Sequence, residues 1–109
     1  MTRKGLGEFE QLVLLTILRL DGEAYSVPMV VELEERSGRE VSQAAVYIAL
    51  RRLEEKGLVS SRMEAAATTG TGRERRYFRV TPEGLVLLRE SRRTMDRFWD
   101  GVEAGLEEA

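Results

Sequence analysis

Gln43, Tyr47 and Arg51 stand four residues apart, and Arg73, Arg75, Arg76 and Arg79 crowd into one short segment. On a helix, residues four apart share a face. That face would present a carboxamide able to pair with a base edge, a phenol and a guanidinium. The second group is a row of guanidinium forks, whose geometry matches phosphate oxygens. A base-reading carboxamide combined with phosphate-neutralising arginines is the chemistry of nucleic-acid recognition. Other chemistries have little to work with. The 109 residues contain no cysteine and no histidine, which excludes thiol redox chemistry, thiolate or imidazole metal sites and His-dependent triads. No loop has the Asp-rich spacing of a carboxylate metal site, and no Gly-rich phosphate loop sits at a strand–helix junction. We therefore expect no catalytic residue, no cofactor, no metal and no enzymatic activity.

The net charge of −2 argues weakly against nucleic acid, but its distribution reverses that. Residues 39–79 hold nine Arg/Lys against five Asp/Glu, a net +4, while the flanking segments 1–38 and 80–109 are each −3. A local basic patch is the electrostatic footprint that matters. The length suits one domain with a modest core, of a size that often gains stability by dimerising.

The elements that must position these residues are legible from periodicity and punctuation. A first helix is expected over about Gly7–Leu20. Phe9, Leu12, Val13, Leu14, Leu15, Ile17, Leu18 and Leu20 cover nearly its whole circumference, which predicts burial all round and a second subunit as part of the cover. A second helix runs over about Val27–Ser37 with Ser26 as its N-cap, Pro28 in the first turn, Met29, Val30 and Leu33 as its buried stripe and Gly38 just past its end. A third spans about Gln43–Lys56, capped by Ser42 and stopped by Gly57. Its core face is Val46, Ala49, Leu50 and Leu53, opposite Gln43, Tyr47 and Arg51. Strands follow at Leu58–Ala65 and Arg75–Val80, joined by a mobile tip, Ala66–Gly72, with no large side chain. Thr81-Pro82-Glu83 opens a fourth helix. Along it Leu85, Leu88, Arg92, Met95, Trp99, Val102 and Leu106 recur at alternating spacings of three and four, a heptad seam that needs another helix to lie on. Gly101 and Gly105 predict fraying at its end.

The implied fold class is mostly α with a small β-hairpin wing. It is a winged helix-turn-helix in residues 1–81, plus a long C-terminal dimerisation helix in residues 82–109 that packs on the first helix as part of one structural unit. The expected DNA-facing set is Ser42, Gln43, Ala44, Tyr47, Arg51, Thr71, Arg73, Arg75 and Arg76. Gln43 would read a base edge, most naturally adenine, and the small Ala44 beside it permits close approach. Tyr47 and Arg51 would meet phosphates. A bland account stands beside each: a capped helix start, a solvated helix face, and edge-strand arginines that prevent aggregation. Arg76 and Arg79 lie on opposite faces of their strand, so only part of the row can reach DNA.

Four segments also resemble the PadR-type transcriptional regulators, a subgroup of winged-helix proteins. They are GEFEQLVLLTIL, AYSVPMVVELEERSG, AAVYIALRRLEEKGLVSSR and RRYFRVTPEGLVLL. The most specific signal is the combination of Tyr47, Leu50, Leu53, Glu54, Gly57 and Leu58 with the run from Tyr77 to Gly84. The resemblance implies a homodimer bound to a roughly palindromic double-stranded DNA operator. It makes the third helix the recognition helix and the hairpin the wing, and it pairs the fourth helix with the partner's first. One departure stands out: the Tyr-Gly pair that usually opens the second helix is here Tyr25-Ser26.

The dimer interface is expected to use Phe9, Leu12, Leu85, Leu88, Met95, Trp99 and Val102. The family's likeness to proteins that sense small phenolic or drug-like molecules suggests an aromatic effector held by Arg92, Phe98 and Trp99, although packing alone would also explain the two aromatics. With no signal peptide and no apolar run long enough to span a bilayer, a cytoplasmic regulator is expected, most simply a repressor, with no membrane partner. The alternative from a different class is a winged helix used only for protein–protein contact.

Overall fold

The computed structural model describes residues 5–108; the ranges assigned above to residues 1–4 and 109 lie outside it. The elements run α1 (Glu8–Arg19), α2 (Ser26–Ser37), α3 (Gln43–Glu55), β1 (Val59–Glu64), α4 (Ala66–Thr69), β2 (Arg75–Val80), α5 (Pro82–Trp99) and α6 (Val102–Glu108). Among the described residues the fold is mostly helical with one antiparallel hairpin, as the sequence implied. In that hairpin Val59 pairs with Val80 and Arg62 with Tyr77.

The core forms where the apolar stripes of α1, α2 and α3 meet the inner face of the hairpin. Val13, Leu14 and Ile17 from α1, Met29 and Leu33 from α2, and Val46, Ala49, Leu50 and Leu53 from α3 are buried against Val59, Phe78 and Val80. Thr16 is buried with them, its hydroxyl donating to the Leu12 carbonyl at 2.7 Å, so it adds no unsatisfied polar group. The all-round burial expected for α1 does not occur within one chain. Leu15 and Leu18 remain exposed because three helices and a hairpin can cover only one side of it.

The helix ends follow the expected local chemistry with one exception. Ser42 caps α3, its hydroxyl accepting from the Ala45 N–H at 3.0 Å, and Thr81 caps α5, accepting from the Gly84 N–H at 3.1 Å. Gly38 ends α2 at a φ of 71°. The exception is Ser26. It lies inside α2, the N-cap is Tyr25, and the Ser26 hydroxyl caps nothing.

Three further differences have physical causes. Ala24 forms an isolated bridge to Phe78, with bonds in both directions at 3.0 and 2.7 Å, so the hairpin gains a short third edge that one residue cannot announce by alternation. The hairpin tip is not featureless. Ala66–Thr69 form a turn of helix, and the Thr69 hydroxyl bonds the carbonyls of Ala66 and Arg73. The last helix is not continuous either. It stops at Trp99, and Gly101, at a φ of 79°, separates it from α6, so the heptad seam is interrupted before Val102 and Leu106.

Gly84 ties α5 to the hairpin. A Cβ built there would sit 2.3 Å from the Leu58 carbonyl oxygen and 2.8 Å from Val80 Cγ1. That carbonyl also accepts from the Thr81 N–H at 3.0 Å and cannot move without breaking the bond. Gly84→Ala should therefore destabilise the chain by about 1–3 kcal/mol, the usual cost of overpacking, although alanine favours helices. Urea denaturation would measure it, and a variant as stable as the wild type would show that α5 can lift off freely.

Candidate nucleic-acid interface

The N-terminal half of α3, the start of α2 and the distal part of the hairpin enclose an open groove of about 490 Å³. Six of the nine residues singled out from sequence line it: Gln43, Tyr47, Thr71, Arg73, Arg75 and Arg76. They come from positions up to 33 apart in sequence, between Gln43 and Arg76. The fold, not local sequence, brings them together. The other three stand outside that lining. Ser42 is engaged as a helix cap, Ala44 is exposed beside it, and Arg51 lies along the exposed α3 face. There its guanidinium carbon is 6.0 Å from the Tyr47 ring centroid and its Nη1 is 3.4 Å from the phenol oxygen.

The arginines of the wing are not equivalent. Arg73 is exposed. Arg76 sits on the inner face with Phe78 and Val80 and is half-buried. Its Nη1 donates to Ser61 Oγ at 2.9 Å, and that hydroxyl donates to the Glu54 carboxylate on α3. This chain of bonds ties the wing to α3, a positioning role in addition to the contact expected of Arg76.

The outer face carries a second arrangement, built on the register of three edges. Arg75 lies with its guanidinium carbon 4.4 Å from the Tyr25 ring centroid. Tyr25 meets Tyr77 edge-on at 5.4 Å, and Arg62 covers Tyr77 at 4.7 Å. Alternating cations and aromatic rings attract through the ring quadrupole, so the stack fixes long side chains that would otherwise be mobile. Glu23 closes it, accepting from Arg62 Nη2 at 2.6 Å and Nε at 3.0 Å and approaching Arg79 at 3.8 Å. The bond from Arg62, helped by the charge of Arg79, holds the Glu23 carboxyl below the usual carboxylate range. Two of the five wing arginines, Arg62 and Arg79, are thus paired with a carboxylate, whereas Arg73 and Arg75 border the groove. Sequence reasoning missed Glu23, Tyr25 and Arg62 in this arrangement. The Ala24–Phe78 bridge that places them is one residue long and leaves no periodic signal.

Gln43 itself is held. Its Nε2 donates to Ser26 Oγ at 3.1 Å, across from the first turn of α2.

The residues expected at the dimer and effector sites divide into two groups. Phe9, Leu12 and Leu85 pack partly buried against the core, and Leu88, only 8% exposed, belongs to that core itself. Leu88 therefore has little surface to offer a partner. Leu87, beside it, is equally buried and was not singled out from sequence. Beyond them the surface is open: Met95 is 57%, Phe98 76% and Trp99 51% exposed, and Val102 is exposed past the Gly101 break. Arg92 is also exposed, 3.8 Å from Asp96 one turn on. Phe98, Trp99 and Arg92 do not form an enclosed cavity within a single chain.

Among the described residues no helix is long and apolar enough to cross a membrane. No group of three or more acidic residues there is arranged to hold a metal ion.

Comparison with known proteins agrees with this architecture. A PadR-family regulator from Eggerthella lenta superposes with a TM-score of 0.71 at 33% identity, covering 94% of this chain and 88% of that one. A PadR-like regulator from Bacillus cereus has the same fold, with a TM-score of 0.67 at 23% identity over 92% of this chain and 88% of that one. A transcriptional regulator of Mycobacterium tuberculosis is 37% identical over 76 residues, 70% of this chain and 66% of that protein, so the match spans just under two thirds of the relative's length. The family model described as the transcriptional regulator PadR-like family matches residues 14–90. With the hairpin, the α3 face and the Tyr77–Gly84 junction all within that span, the chain belongs to the PadR-like family of transcriptional regulators.

Proposed function

We propose that this protein regulates transcription by binding double-stranded DNA, as a homodimer acting most simply as a repressor on a palindromic operator. The observation that carries the proposal is the groove in which Gln43 and Tyr47 on α3 face Thr71, Arg73 and Arg75 on the wing. The N-terminal end of α3 enters the major groove, where a glutamine carboxamide pairs bidentately with adenine. Arg73 and Arg75 neutralise phosphates on the flank. The net −2 charge of the chain is no obstacle, since acidic residues dominate the segments outside residues 39–79. The work is binding and positioning, not catalysis, and the setting is the cytoplasm.

Dimerisation draws support from the apolar surface that one chain leaves open. Met95, Phe98 and Trp99 on α5 and Leu15 and Leu18 on α1 are all exposed. Large apolar side chains left open in this number favour an interface. A flat aromatic effector would enter beside Trp99 only where two copies meet, and would act by altering the spacing of the two α3 helices against one DNA turn, about 34–36 Å.

The test is a division of labour. Gln43→Ala should relax base preference at one position in each half-site, by about 1–3 kcal/mol. Arg73→Ala should weaken binding to every duplex alike and flatten its salt dependence. Duplexes enriched from a randomised pool, then measured by anisotropy, report both. If Arg73→Ala altered base preference while Gln43→Ala did nothing, the recognition face would be misassigned.

A further inference from the structure

Ser26 opens α2 but does not perform the capping role that would explain a serine there. Tyr25 is the N-cap, and among the described residues the one side-chain bond of Ser26 is the one it accepts from Gln43 Nε2, 3.1 Å away and 17 residues along the chain. Both partners are firmly set. Ser26 lies in the first turn of α2, two residues after Ala24, which is bonded to Phe78 in both directions. Gln43 is the first residue of α3, directly after the Ser42 cap.

We infer that Ser26 is a specificity-determining residue that acts through Gln43 by holding its carboxamide in place. The inference rests on the proposed role of Gln43 in reading DNA. A glutamine amide has two N–H donors and one carbonyl acceptor. Ser26 occupies one N–H and so holds the carboxamide beside the first turn of α2. Among the described residues the carbonyl Oε1 accepts no bond. What remains is one acceptor and one donor. That is the pair that adenine answers, its N6–H donating to Oε1 and its N7 accepting from Nε2. An untethered glutamine side chain swings between neighbouring base edges and reads none of them strictly. Tethering removes that freedom before DNA arrives, as support behind a contacting group does for binding sites in general.

The experiment uses the full chain and a pool of duplexes with a randomised core, selected first with the wild type. The enriched duplex and its three single-base variants at the Gln43-dependent position are then titrated against wild type, Ser26→Ala, Ser26→Thr, Gln43→Ala and the Ser26→Ala/Gln43→Ala double variant. Ser26→Ala should lower discrimination at that one position by about threefold to tenfold, the worth of one hydrogen bond. Its salt dependence should be unchanged, because no charge is altered. Ser26→Thr, which keeps the hydroxyl, should restore discrimination. The double variant should lose no more than Gln43→Ala alone, because the two residues act as one unit. Uniform weakening of all four duplexes by Ser26→Ala, or losses that add in the double variant, would overturn the inference while leaving DNA binding intact. If the wild type enriches no duplex, the DNA-binding reading fails first and this inference with it. Unchanged helical content and melting in Ser26→Ala, expected because the hydroxyl caps nothing, would separate a recognition effect from a folding one.

Discussion

Phe78→Ala is expected to lower the stability of the chain by about 3–5 kcal/mol, the usual cost of emptying a buried aromatic site. Phe78 is 1% exposed and is among the largest fully buried side chains. It stands at the junction of three elements. It is central to β2, paired with Ser61 across the hairpin and bonded on its other edge to Ala24. The ring belongs to the core cluster shared by the hairpin and α1, α2 and α3, and the cavity left by alanine could not close without moving the hairpin against the helices. Domains of this size hold only about 5–15 kcal/mol in total, so a large part of the population should unfold at physiological temperature. Equilibrium urea unfolding checks this. A loss below about 1 kcal/mol would mean that the hairpin is not anchored as described.

Met95→Glu should have an effect of comparable size on assembly and almost none on the fold of one chain. Met95 is 57% exposed in the single chain, so a carboxylate there meets water. In a dimer that covers the α5 stripe, the same carboxylate would be buried without a partner in each subunit, costing several kcal/mol apiece. Sedimentation should show a wild-type dimer at micromolar concentration and a folded Met95→Glu monomer. Leu88→Glu supplies the contrast. Leu88 is part of the core within the chain, so that change should unfold the protein rather than merely separate it. A Met95→Glu protein that sediments like wild type would remove α5 from the interface.

The split between Leu88 and Met95 also shows what one sequence can and cannot disclose. Heptad spacing identified an apolar stripe on α5 but not which residues the chain uses itself. Leu88 is covered by the chain's own core, and Met95 is not. Long periodic elements were legible. The four core residues of α3, its Ser42 cap and the Thr81-Pro82 start of α5 fall where spacing and capping chemistry put them. Elements too short for a period were not. The Ala24 bridge and the turn at Ala66–Thr69 rest on a pair of backbone bonds and on one threonine hydroxyl. The groove residues were recognisable by type, but their partners were not. The bond from Arg76 through Ser61 to Glu54, the stack of Arg75 on Tyr25, and the hold of Ser26 on Gln43 join positions separated in sequence by 7 to 50 residues. Residue type suggested a helix cap for Ser26. Only the relative placement of α2 and α3 assigns its hydroxyl to Gln43.

The most direct test of the central claim, that the groove between α3 and the wing takes double-stranded DNA, is the affinity for a selected duplex as salt is raised from roughly 50 to 200 mM, since each phosphate contact made by Lys or Arg contributes about −0.9 to the slope of log K against log salt. A steep negative slope is expected for the wild type. Arg73→Glu/Arg75→Glu, which reverses charge in the groove, is expected to abolish binding of any duplex while the protein stays folded. Equal binding by that variant, or a folded wild-type dimer with no salt-dependent affinity for any duplex, would contradict it.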